Sequence, residues 1–137
     1  MSERPRHSAQ ELNEFAGAHP GGSVRAALAN AMVGLKKQYY GRGPTAAKAW
    51  ILDDYVLVAL EGGLTRSEET LLADGKEDEV RRYRLSFQET VGDAAMNAVA
   101  ELTGRKVLTY HSQIVFDPTR TFEIFVLEAP PPVEADN

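Results

Sequence analysis

The chain has 137 residues, of which 43% are hydrophobic and 26% charged, with a formal net charge of −5 and no cysteine. That length supports one domain whose core needs no covalent or metal staple. The acidic balance excludes a general nucleic-acid binder and tight docking on anionic lipid through charge, and the missing cysteines exclude disulfides, thiolate metal sites and cysteine nucleophiles.

Residues 1–20 are polar and run into the helix-stopping stretch Pro20-Gly21-Gly22, so they read as a mobile N-terminal arm. They lack the apolar centre of a signal peptide. Ser23 is placed to cap a first helix, in which Val24, Ala27, Leu28, Ala31, Met32 and Leu35 recur at spacings of three and four. Lys36 and Lys37 bring cations to its last turn, and Gly41 stands where a left-handed C-cap belongs.

The corner "GRGPT", residues 41–45, invites comparison with a phosphate cradle. Such cradles use N–H groups at a helix N-terminus. This corner follows a helix C-terminus, where the dipole has the wrong sign, and Pro44 removes a donor. It reads as a structural turn.

Two short apolar runs separated by Asp53-Asp54 then form a hairpin. Thr65 and Glu68 have the spacing of a capping box and open a short helix that Gly75 ends. A longer helix follows from about Asp78 to Thr103, with Val80, Tyr83, Phe87, Val91, Ala94, Ala98 and Leu102 as its expected buried stripe and Gly104 as its cap. Two further strands flank "DPTR" as a second hairpin. Pro130, Pro131 and Pro132 cannot join a sheet interior, so 130–137 reads as a disordered tail. The domain proper is 21–129. Its order is α-ββ-α-α-ββ, an α+β fold with a single four-stranded antiparallel sheet made of two hairpins and the two longer helices packed on one face. Residues 107–116 and 121–127 are apolar on both strand faces, so an uncovered second face would require a partner.

No catalytic constellation emerges. His7, His19 and His111 lie far apart and show no metal-ligand spacing. Asp53 and Asp54 are turn residues first, and only folding beside His111 would make them a proton-transfer site. Arg42 and Lys48 are candidate small-anion contacts. Arg84, next to the apolar stripe at Val80 and Phe87, is placed for partial burial against a carboxylate or a partner. The chain is expected to be non-enzymatic, with no cofactor and no metal.

Taken together, "GRGPTAAKAWILDDYVLVALEGGLTRSEETLL", "VRRYRLSF", "AVAELTGRKV" and "FEIFVLE" resemble the MpsC-like family, formerly a domain of unknown function. The resemblance spans about residues 23–128. Its marks here are Gly41, Gly43, Pro44 and Thr45 in the corner, Leu64, Thr65, Glu68 and Leu71 in the second segment, and Arg84. It implies a cytoplasmic accessory protein of a sodium-translocating, membrane-potential-generating or inorganic-carbon uptake system, with a membrane-transport protein as partner and no membrane insertion of its own. The expected state is a homodimer. The alternative is a module that binds or senses a small bicarbonate-like anion.

Overall fold

A computed structural model describes residues 22–132 of the chain. Helix α1 (Gly22–Tyr40) leads into the hairpin β1 (Ala46–Leu52) and β2 (Tyr55–Glu61). The short α2 (Arg66–Ala73) and the long α3 (Glu77–Thr103) follow, then the hairpin β3 (Val107–Val115) and β4 (Arg120–Leu127). The element order and α+β class are those expected from the sequence. The sheet order is β1-β2-β4-β3, antiparallel throughout, so β2 and β4 join the two hairpins at its centre. The histidines at positions 7 and 19, and most of the expected arm and tail, lie outside the described residues.

Alternation along the strands decides what each face meets. Val56, Val58 and Leu60 of β2, with Phe125 and Leu127 of β4, point to the helices and are buried. Against them lie Ala27, Leu28, Ala31 and Met32 of α1 and Ala95 and Val99 of α3. Full burial of a side chain such as Phe125 contributes about 2 kcal/mol by removal of apolar surface from water. Helix α1 covers the first hairpin and α3 covers β3, with the two helices also in contact. A bulge between Val107 and Thr109 shifts the β3 register and leaves Leu108 outside.

The first helix carries its stripe as expected, although it begins at Gly22 and so takes Ser23 into its first turn. The α3 stripe is met only in part, at Val80 and, packed against the core, at Ala98 and Leu102. Its buried residues are Val80, Arg84, Gly92, Ala95, Val99 and Thr103, while Tyr83 is exposed. The helix is rotated so that its small residues meet the sheet: a Cβ at Gly92 would lie 3.6 Å from the Tyr110 ring. Close approach of the backbone selects that face, at the expense of the bulkier neighbouring residues. Gln88 adds a polar link from α3 to β3, accepting from the Ser112 N–H at 3.1 Å and donating to the Tyr110 carbonyl at 3.5 Å. Beyond β4, Arg105 Nε donates to the Pro130 carbonyl at 2.7 Å, and Pro131 is buried.

Gly63, just past β2, has φ +83, and a Cβ there would stand 3.1 Å from the Pro44 nitrogen. Gly75 has a similar φ of +75 but open space around it. Gly75→Ala is therefore expected to lose only the left-handed backbone cost of about 1 kcal/mol. Gly63→Ala carries the same cost plus a main-chain clash, for a total loss of about 3 kcal/mol. Urea unfolding of the two variants side by side measures the difference.

Candidate functional site

The segments marked in the sequence meet at one place. The corner after α1 lies on the segment after β2: Thr45 N–H donates to the Glu61 carbonyl at 2.9 Å, and Arg42 Nη1 donates to the Leu64 carbonyl at 2.8 Å. Gly41, with φ +87, caps α1 through its N–H on the Lys37 carbonyl. The corner thus packs against the 62–65 turn.

Thr65 caps α2 with both arms of the capping box. Its N–H donates to Glu68 Oε1 at 2.8 Å, while the Glu68 N–H donates to Thr65 Oγ1 at 3.2 Å. The same Glu68 carboxylate is the partner of Arg84. Arg84 Nε donates to Oε2 and Nη2 to Oε1, each at 2.6 Å, and Nη2 also reaches the Gly63 carbonyl at 3.2 Å. Glu68 is 1% exposed and Arg84 9%. This is a fork-to-fork ion pair in the core, the geometry for which arginine is better suited than lysine. Tyr40 at the end of α1 lies with its ring 4.0 Å from the guanidinium carbon and stacks on Phe87 at 4.5 Å.

Burial pushes the Glu68 carboxyl up, but the Arg84 and Thr65 hydrogen bonds and the guanidinium charge outweigh it and hold the group below the usual carboxylate range. Burial likewise works against the Arg84 cation, and the bonds and charge of Glu68 reverse that. The Tyr40 hydroxyl is pushed up, chiefly by burial and against the pull of Arg84.

A second buried carboxylate sits nearby on the sheet. Glu123, fully buried on β4, accepts from the Tyr110 hydroxyl, from Ser112 Oγ at 2.7 Å and from Lys36 Nζ at 3.0 Å. The Tyr110 hydroxyl is pushed far up by burial and then by the Glu123 charge. The sequence reading missed this cluster. Strand alternation carries the signal, since Glu123 shares its face with Phe125 and Leu127.

The other candidates disperse. Arg42 lies at the surface beside Glu69, 3.3 Å away, and exposed Lys48 lies over the Trp50 ring at 5.5 Å. Arg42 and Arg84 thus donate to the adjacent Leu64 and Gly63 carbonyls, whereas Lys48 stands apart on β1. Asp53 and Asp54 occupy the tip of the first hairpin, whereas His111 is on β3, two strand spacings from β2, or roughly 10 Å. Folding does not unite them for proton transfer. Among the described residues no group of three or more His, Asp and Glu side chains is arranged to hold a metal. Both buried carboxylates have their oxygens occupied by protein donors, so the arrangement fixes segments in place.

Fold and junction together define a class: a small α+β protein whose signature residues serve to lock one sheet and three helices around a buried ion pair. The model of the family described as "Na+-translocating membrane potential-generating system (MpsC)" matches residues 21–129, and the chain belongs to that family. It is similar to the uncharacterized protein YbcI of Bacillus subtilis (strain 168), with 27% identity over 95 residues, 68% of this chain and 76% of that relative. No solved structure matches. Among the described residues no helix is long and apolar enough to cross a membrane.

Removal of one partner from a buried pair leaves an uncompensated charge. Glu68→Gln is expected to lose about 3 kcal/mol of unfolding free energy at pH 7. Because the folded carboxyl titrates below its unfolded value near about 4.3, the Glu68 contribution is complete above that value and disappears as pH falls through the lower folded one. The gap between wild type and Glu68→Gln should then narrow below about pH 4, as urea titrations at several pH values would show.

Proposed function

We propose that the protein is a non-enzymatic cytoplasmic accessory or regulatory subunit of a membrane ion or inorganic-carbon uptake system, acting by protein contact. We further propose that it pairs with a second copy through the open face of its sheet. The family description supports the setting. The observation that carries the contact reading is the sheet itself.

An antiparallel sheet with one covered face normally presents polar residues on the other. Here the outer face carries Trp50, Leu52, Tyr55, Leu57, Phe122 and Ile124, with Leu52 51%, Tyr55 49% and Ile124 39% exposed. These are neighbours across β1, β2 and β4, so they form a continuous apolar patch of the kind that marks an interaction surface. A twisted sheet packs well on another sheet of the same twist, and a two-fold pair covers both patches at once. The two buried carboxylates, each partnered inside the domain, fit a scaffold better than a reaction centre. The membrane would be reached through a transport protein and not by insertion.

Ile124 lies on a central strand opposite Leu57, in the middle of the patch. Light scattering of the full chain should give a dimer. Ile124→Lys, at an exposed position, should weaken association by about thirtyfold or more while leaving the melting temperature of the monomer unchanged. A wild-type chain that stays monomeric at high concentration would refute the pairing.

A further inference from the structure

Between the start of α3 and the β3–β4 hairpin lies a cavity of about 270 Å³, lined by Arg81, Arg84, Leu85, Ser112, Ile114 and Thr121. The Glu68 pairing does not exhaust Arg84. Nε and Nη2 are spent on Glu68 and Gly63, whereas Nη1 makes no hydrogen bond among the described residues. Thr121 is 3% exposed and its hydroxyl likewise has no partner among them. Buried polar groups in a folded protein are nearly always bonded, so two orphans on the wall of one cavity call for a partner from outside. Each is more than nine-tenths buried.

The chemistry of that partner follows from the wall. A guanidinium only donates, and the free Nη1 has two N–H groups to give. Arg81, at the mouth, adds a second guanidinium whose surface pairs with Glu77 and Asp78 are weak and exchangeable. Ser112 Oγ already donates to Glu123, and the Thr121 hydroxyl can donate. The two nearest buried carboxylates are each paired with a cation, Glu68 with Arg84 and Glu123 with Lys36. Leu85 and Ile114 supply apolar wall, which asks for a short hydrocarbon body behind the charged head. We propose that this cavity binds a small monocarboxylate, its carboxylate on Arg84 Nη1 and Thr121 Oγ1 and its alkyl part against Leu85 and Ile114. The proposal does not rest on pairing through the outer sheet face, although Leu85, Ser112 and Gln113 also line the depression beside Leu57, Phe122 and Ile124 of that face.

The probe is butyrate, with neutral butyramide as its near-isostere, titrated into the full chain at constant ionic strength and followed by the backbone amide shifts of Ser112, Ile114 and Thr121. Butyrate should give saturable shifts there, and butyramide should bind at least about tenfold more weakly. Thr121→Val keeps the shape and removes an unpaired hydroxyl, so it should melt no lower than wild type yet bind butyrate roughly tenfold more weakly. Leu85 is half exposed, so Leu85→Glu leaves the core intact while placing a repelling charge at the mouth, and should abolish the shifts. Absence of saturable shifts, equal binding of butyramide, unchanged affinity in either variant, or a clearly lower melting temperature for Thr121→Val would each overturn the proposal.

Discussion

A charge taken out of water must find its opposite, and in this protein that requirement falls on Glu68 and Arg84. The two are sixteen positions apart, on different helices. Their meeting fixes the angle between α2 and α3. Because Arg84 also holds the Gly63 carbonyl and lies over Tyr40, the same contact ties in the end of β2 and the end of α1. A hydrophobic pair of similar volume would supply comparable stability but not that directionality. The pair acts as a registration device for segments that reach the junction from separate parts of the chain.

Glu123 poses the same problem with a different answer. It faces three donors from two elements, Lys36 of α1 and Tyr110 and Ser112 of β3, and so connects the first helix to the far hairpin across the sheet. Tyr110 stacks on Phe125 at 4.7 Å, which orients its hydroxyl toward the carboxylate. Two saturated carboxylates inside one small domain make its interior unusually demanding of geometry. Its exterior, by contrast, leaves an apolar sheet face in water.

Much of this architecture was legible because it rests on local chemistry. The Thr65–Glu68 box, the glycines at 41, 75 and 104 and the aspartates between β1 and β2 set element ends through contacts within a few residues. The burial of Arg84 could be anticipated from its place beside an apolar stripe. Its partner could not, since Glu68 already had a sufficient local reason to stand at a helix start. The α3 face was misjudged for a related reason. Reading the stripe from its largest apolar residues picks out Tyr83 and Phe87, whereas the sheet chose Gly92 and Ala95, and side-chain bulk in one helix does not report the ring of Tyr110 waiting on a strand far along the chain. Glu123 escaped notice because a glutamate in a strand is ordinarily on the wet side.

One small contact has a wider reach than its strength implies. Strand β3 borders the sheet, and a border strand displays main-chain groups that any other extended polypeptide can zip onto. Along this stretch the carboxamide of Gln88 already occupies the Ser112 amide and the Tyr110 carbonyl, imitating the strand that would otherwise arrive. At these two groups the rim is closed to an incoming strand by a single side chain.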